Sequence, residues 1–139
     1  MILNIDEAAG FVREQQQHGR QVVFTHGVFD LLHPGHVRHL TAARREGDVL
    51  LVAVLSDRSA RAAKGPSRPV MPDRERAEIL DALAVVDAVV VLDDDSPLAL
   101  IARLGPDVVA EPSVATGWST SAIIKKAQSV PAPAPHTGR

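Results

Sequence analysis

The sequence predicts an α/β fold, a single domain built on a doubly wound parallel sheet, and three observations predict it. Apolar runs of strand length alternate with stretches of helical spacing. The longest run, Val49 to Leu55, is apolar at every position, as a strand covered on both faces requires. Turn residues and helix starts follow the strand-like runs, the order that right-handed β-α-β crossovers need. The arrangement is Rossmann-like, and ligands of such sheets lie in the crevice beyond the carboxyl ends of the strands.

Each element has a local reason. Ile5, Ala8, Ala9 and Val12 fall at helical spacing, so 4–18 reads as a helix with Asn4 as N-cap and Gly19 as stop. Val22 to Thr25 is a buried strand, followed by a loop and a helix from Pro34 to about Glu46 that ends at Gly47. After the strand Val49 to Leu55 comes a short Ser56-Asp57 turn. Pro72 and Asp73 open a helix to about Leu83, Ala88 to Leu92 is a strand, and Ser96-Pro97 caps a helix closing at Gly105. Asp107 to Ala110 gives one more short strand, and Ser119 is a candidate N-cap for a final helix through about Gln128. Residues 1–130 thus form the domain, and the proline-rich 131–139 reads as an extended, disordered tail.

Composition narrows the function. With 139 residues, 45% of them hydrophobic, the chain can bury a core of ordinary size. A net charge of −2 with dispersed basic residues lacks the footprint of a nucleic-acid binder. The absence of cysteine excludes disulfides, a thiolate nucleophile and thiolate metal sites. No apolar run is long enough to span a bilayer and the first residues do not resemble a signal peptide, so a cytoplasmic location is expected.

The chemistry concentrates in His33-Pro34-Gly35-His36, where a buried strand runs through a turn into a helix. The first turn of a helix offers unpaired N–H groups and the positive end of the dipole, a setting for phosphate. Pro34 presets the first helical residue, Gly35 leaves room for a ligand, and two imidazoles can donate from either side. His39 repeats the spacing of three and His26 is nearby, but no H-E-x-x-H or carboxylate–histidine pattern accompanies them, so no resident metal is expected. His39 reads as a solvated helix residue; His26 either lines the pocket or fills space. Asp30 either holds the loop by accepting backbone N–H bonds or contacts substrate hydroxyls.

Lys64-Gly65-Pro66-Ser67-Arg68-Pro69-Val70 places two cations around an open turn, either a solvated loop or a grip for a second phosphate. Arg76 either faces the crevice or is a surface arginine paired to Asp73 or Glu75. Ser119, Thr120 and Ser121 before the last helix cap it, with or without ligand contact, and Trp118 either stacks on a base or fills the core. Asp93, Asp94 and Asp95 read as a solvated acidic run.

From Val22 to about Gln128 the chain resembles the nucleotidylyltransferase superfamily, in its sugar-phosphate branch, closest to the adenylyltransferase domains that act on D-glycero-β-D-manno-heptose 1-phosphate in ADP-heptose synthesis. The likeness rests on Gly27-Val28-Phe29-Asp30 with His33-Pro34-Gly35-His36, on Ser56-Asp57, Lys64-Gly65, Ser67 to Val70 and Arg76, on Val86 to Val90, and on Ser119 to Ser121 with Ile123 to Lys126. It implies transfer of AMP from ATP to a phosphorylated sugar with release of pyrophosphate, with magnesium carried by the nucleotide. His33, His36, Ser119 and Thr120 would hold the triphosphate, with Thr25, His26, Gly27, Phe29 and Gly35 also on the nucleotide side. Lys64 and Arg68 would orient the acceptor together with Asp30, and Lys64 and Arg76 would act with the two histidines on the transferring phosphate. The resemblance also implies a homodimer and a separate sugar kinase. Compared with that pattern, the segment 108–116 before the last helix is shortened. Two alternatives therefore stand beside the adenylyltransferase: a glycerol-3-phosphate cytidylyltransferase using CTP and a polyol phosphate, and a nucleotide-binding module without turnover.

Overall fold

A computed structural model describes residues 1–111. Its strands are β1 (Ile2–Leu3), β2 (Val22–Gly27), β3 (Val49–Leu55), β4 (Ala88–Leu92) and β5 (Val108–Val109). Its helices are α1 (Ile5–Gln17), α2 (Pro34–Arg44), α3 (Asp57–Lys64), α4 (Asp73–Asp81) and α5 (Leu98–Leu104). The strands form one sheet in the order β1-β4-β3-β2-β5, and every pairing is parallel.

Alternation along the strands divides the interior into two cores. Val22, Phe24, Leu51 and Ala53 pack with Ala8 and Val12 of α1 and with Leu100 and Leu104 of α5. Val23, Leu50, Val52 and Val89 pack on the other face with Leu40 and Ala43 of α2 and with Ala77 and Leu80 of α4. A continuously apolar strand such as β3 is thus the signature of a sheet with helices on both faces. Burying residues of this kind contributes about 1.5–3 kcal/mol per large side chain, so the sheet is a rigid floor for the loops above it.

Strand order positions the site. From β2 the chain crosses through α2 to β3 on one side, whereas β5 joins β2 on the other. The carboxyl end of β2 is therefore the point where the order reverses and a crevice opens.

Within the described residues the expected elements are present with shifted ends, and two additional elements occur. Asn4 caps α1 reciprocally with Glu7: the Glu7 N–H donates to Asn4 Oδ1 at 2.8 Å and the Asn4 N–H to Glu7 Oε1 at 3.0 Å. Expected as a turn, Ser56-Asp57 instead opens α3, with Ser56 as N-cap accepting from the Ser59 N–H at 3.1 Å. β1 was not expected; it aligns Ile2 with Val89 and Leu3 with Val90. The final helix, the tail 131–139 and all of the shortened segment beyond Glu111 lie outside the described residues.

Candidate nucleotide site

The turn after β2 is shaped by close packing. Phe29 adopts φ 50°, in the left-handed region, which carries its ring back over Gly27. A Cβ on Gly27 would lie 3.0 Å from Phe29 Cε2 and 3.1 Å from Cζ, so only glycine leaves the ring its place. The Phe29 ring is buried in the α2-side core and meets His36 edge-on, with centroids 5.3 Å apart and planes at 61°. Phe29 therefore backs the His36 imidazole from within the core.

His33 is the N-cap of α2, Pro34 is its first residue, and Gly35 is buried in the first turn. The rings of His33 and His36 stack with centroids 3.8 Å apart and planes at 21°. The His33 backbone N–H donates to His36 Nδ1 at 3.3 Å, which requires that nitrogen to be unprotonated and leaves the proton of a neutral ring on Nε2. Burial, followed by the proximity of His33 and His39, pushes the His36 pKa down to about 4, and burial also lowers that of His33. Before a ligand arrives, the start of α2 thus presents neutral imidazoles at a helix dipole's positive end.

A buried carboxylate ties this turn to the segment after α3. Asp30 accepts from the Val70 N–H at 2.8 Å, from the Met71 N–H at 2.9 Å and from Arg68 Nε at 2.8 Å. Burial would raise its pKa, but these donors outweigh it and hold the carboxyl below the usual range. The geometry matches the loop-holding role for Asp30, here extended to a second segment. Arg68 is buried against Asp30, and Lys64 is exposed at the end of α3.

Arg76 is not the surface arginine of the second expectation; it lies at the exits of β2 and β3, on the crevice end of the sheet. Its side chain is fully buried, with Nε donating to the Met71 carbonyl at 2.8 Å and Nη1 to the Val28 and Leu55 carbonyls at 2.7 Å each. Nη2 donates to Asp57 Oδ1 at 2.9 Å, so the pairing is with Asp57 and not with Asp73 or Glu75. The guanidinium joins the exits of β2 and β3 to the segment before α4.

His39 also differs from its expected solvated state: it is buried on α2. Thr25 Oγ1 lies 2.8 Å from His39 Nε2 and donates to the Ala110 carbonyl at 2.9 Å. The Thr25 hydroxyl, expected on the nucleotide side, is thus engaged between two protein groups. Burial lowers the His39 pKa; Glu46 and Glu111 oppose this and His26 adds to it. The signal for His39 was its place beside Leu40 and one turn after His36, on the face of α2 that packs inward. His26, half-buried near the end of β2, has its ring 6.2 Å from that of Phe24. Asp93 is exposed, as read from the sequence, and accepts from the Ser56 hydroxyl at 2.6 Å and from Arg58 Nε at 3.1 Å. Trp118, Ser119 and Thr120 lie outside the described residues.

Among the described residues, no three His, Cys, Asp or Glu side chains are grouped to hold a metal ion. None of the described helices is long and apolar enough to cross a membrane.

Known proteins are similar to this chain in sequence and in fold. The protein named Bifunctional protein HldE from Gluconobacter oxydans (strain 621H) is 48% identical over 110 residues, which cover 79% of this chain and 23% of that protein. Its namesake from Syntrophotalea carbinolica (strain DSM 2380 / NBRC 103641 / GraBd1) is 53% identical over 97 residues, covering 70% and 20%. The chain therefore spans less than a quarter of the length of these curated relatives. The crystal structure of the lipopolysaccharide core biosynthesis protein from Thermoplasma volcanium GSS1 superposes with a TM-score of 0.62 at 25% identity, covering 79% of this chain and 88% of that one. The cytidylyltransferase-like family matches residues 24–130, from the middle of β2 through the histidine turn and beyond. With its switch-point strand, its histidine turn and most of its length inside that match, the chain belongs to the cytidylyltransferase-like family.

Proposed function

We propose that this domain transfers a nucleoside monophosphate, AMP from ATP, to the phosphate of a phosphorylated sugar of the heptose 1-phosphate kind and releases pyrophosphate. The observation that carries the reading is the stacked pair His33 and His36 over the first turn of α2, at the crevice where the strand order reverses. The relatives named HldE, and the lipopolysaccharide core biosynthesis protein of similar fold, support the sugar-phosphate direction.

In this reading an oxygen of the acceptor phosphate attacks the α-phosphorus in line. A new phosphorus–oxygen bond forms as the bond to the β-phosphate bridging oxygen breaks, and the electron pair leaves with pyrophosphate. No protein nucleophile is needed; the work is positioning and stabilisation of negative charge. His36 donates its Nε2–H to the triphosphate, and the N–H groups of the first turn of α2 add to it. Lys64 and Arg68 orient the acceptor, with Asp30 holding Arg68 in place. Arg76 supports both segments from beneath. Magnesium enters as part of the nucleotide substrate, and the sugar phosphate comes from a separate kinase reaction.

The test is pyrophosphate release from ATP, CTP, GTP and UTP against a panel of sugar and polyol phosphates with magnesium. The reading expects ATP with an aldose 1-phosphate to give the highest kcat/KM. Preferred use of CTP with glycerol 3-phosphate would replace it with the cytidylyltransferase alternative. Binding of a nucleotide without pyrophosphate from any pair would leave a binding module.

A further inference from the structure

We propose that His39 is a positioning residue for the nucleotide, acting through Thr25 to fix the carboxyl end of β5 against β2; the assignment rests on the transferase reading above. Among the described residues β5 is the outermost strand on the side of β2 away from β3, so its end forms one side of the crevice. Among the described residues its ladder is short, pairing Val23 with Val108 and Phe24 with Val109. Beyond that ladder the Ala110 N–H donates to the Phe24 carbonyl at 2.8 Å, and the Ala110 carbonyl accepts from Thr25 Oγ1 at 2.9 Å.

The direction of the next bond follows from proton counting. A carbonyl only accepts, so the single hydroxyl proton of Thr25 goes to Ala110. His39 Nε2, 2.8 Å from the same oxygen, must then donate, which places a proton on Nε2. The relay His39 Nε2–H to Thr25 Oγ1–H to the Ala110 carbonyl runs through buried side chains, from the helix that begins with His33 and His36 to the far side of the crevice. One helix thus sets both the imidazoles and the position of the facing strand. Nothing in the chemical step requires His39 itself, which separates it from His36.

The experiment compares His39→Leu, which removes the donor, with His39→Gln, which keeps an N–H, and Thr25→Val with Thr25→Ser. His39→Leu and Thr25→Val each leave a buried acceptor without its donor and should each raise the nucleotide KM about ten-fold. The acceptor KM should stay at the parental value and kcat within about two-fold of it, the split that lost positioning of one substrate produces. His39→Gln and Thr25→Ser should restore most of the affinity, and the double variant should be no worse than either single one. Hydrogen exchange supplies a readout apart from turnover: the Ala110 amide should exchange faster in His39→Leu while β3 and β4 amides do not. A His39→Leu variant with parental nucleotide KM, or effects of the two sites that multiply, overturns the assignment alone. A parental chain that releases no pyrophosphate from any nucleotide overturns the transferase reading and this assignment with it.

Discussion

Replacement of Arg76 by methionine tests the scaffold directly, because the side chain is fully buried and all three of its nitrogens donate. Methionine fills a similar volume without donating. The carbonyls of Val28, Leu55 and Met71 then lose their partner in a part-buried setting, at about 1–3 kcal/mol for a fully orphaned acceptor. Asp57 is 39% exposed, so water replaces much of its ion pair and that bond adds little. Water also reaches part of the way to the carbonyls, which brings the sum to about 3–5 kcal/mol, a large share of the roughly 5–15 kcal/mol that stabilises an ordinary domain. Urea denaturation followed by circular dichroism reads this as a lower midpoint at unchanged slope. Arg76→Lys, keeping charge but offering a single ammonium, should fall between the two. A midpoint loss worth under about 1 kcal/mol for Arg76→Met, together with a collapse of turnover, would refute the scaffold argument and return Arg76 to the phosphates.

Other substitutions separate catalysis from folding. His36→Ala should lower kcat by about 10²–10³, the usual loss for one transition-state donor, while shifting the denaturation midpoint little. Gly27→Ala puts a Cβ 3.0 Å from the Phe29 ring, which must move and take His36 with it; a stability loss of about 1–3 kcal/mol should accompany weaker nucleotide binding by calorimetry. For pH, the His36 pKa is about 4 in the fold against about 6.5 in the unfolded chain, so the unfolded state binds more protons between those values. Stability should be full above about pH 6.5 and decline as pH falls toward 4, with His33 and His39 acting in the same direction; a midpoint higher at pH 5 than at pH 7.5 would contradict this.

What could be read from the residues alone was whatever is locally encoded. The strands from Val49 and Ala88 announce themselves because both faces are buried, and Pro34 with Gly35 marks the start of α2. α3 escaped notice because it buries little beyond Ser59 and Ala60, so it has no apolar stripe; only Ser56, its cap, was a signal. β1 is two residues long and exists by pairing with a strand more than 80 residues away. The buried state of Arg76 was illegible for the same reason. Its acceptors come from three segments, up to 48 residues distant, and no local pattern reports that their carbonyls converge. His33 and His36 were visible as a pair, but their stacking and neutrality depend on Phe29 behind them.

These particulars give the crevice an electrostatic logic. Arg76 is committed to protein carbonyls and Asp57, and Arg68 is anchored through Nε to Asp30, so the fold holds both guanidiniums in place. In the proposed reading the attraction at the start of α2 comes from the oriented N–H groups and from rings that burial keeps neutral. A triphosphate close to His36 favours its protonated form, opposing the burial that keeps the ring neutral. Nucleotide binding and folding therefore press in opposite directions on the same imidazole: acid weakens the fold but favours the charged ring that a polyanion selects. The buried pins at Asp30 and Arg76 are the physical counterweight, since their bonds hold the turn after β2 and the segment before α4 without running through an imidazole.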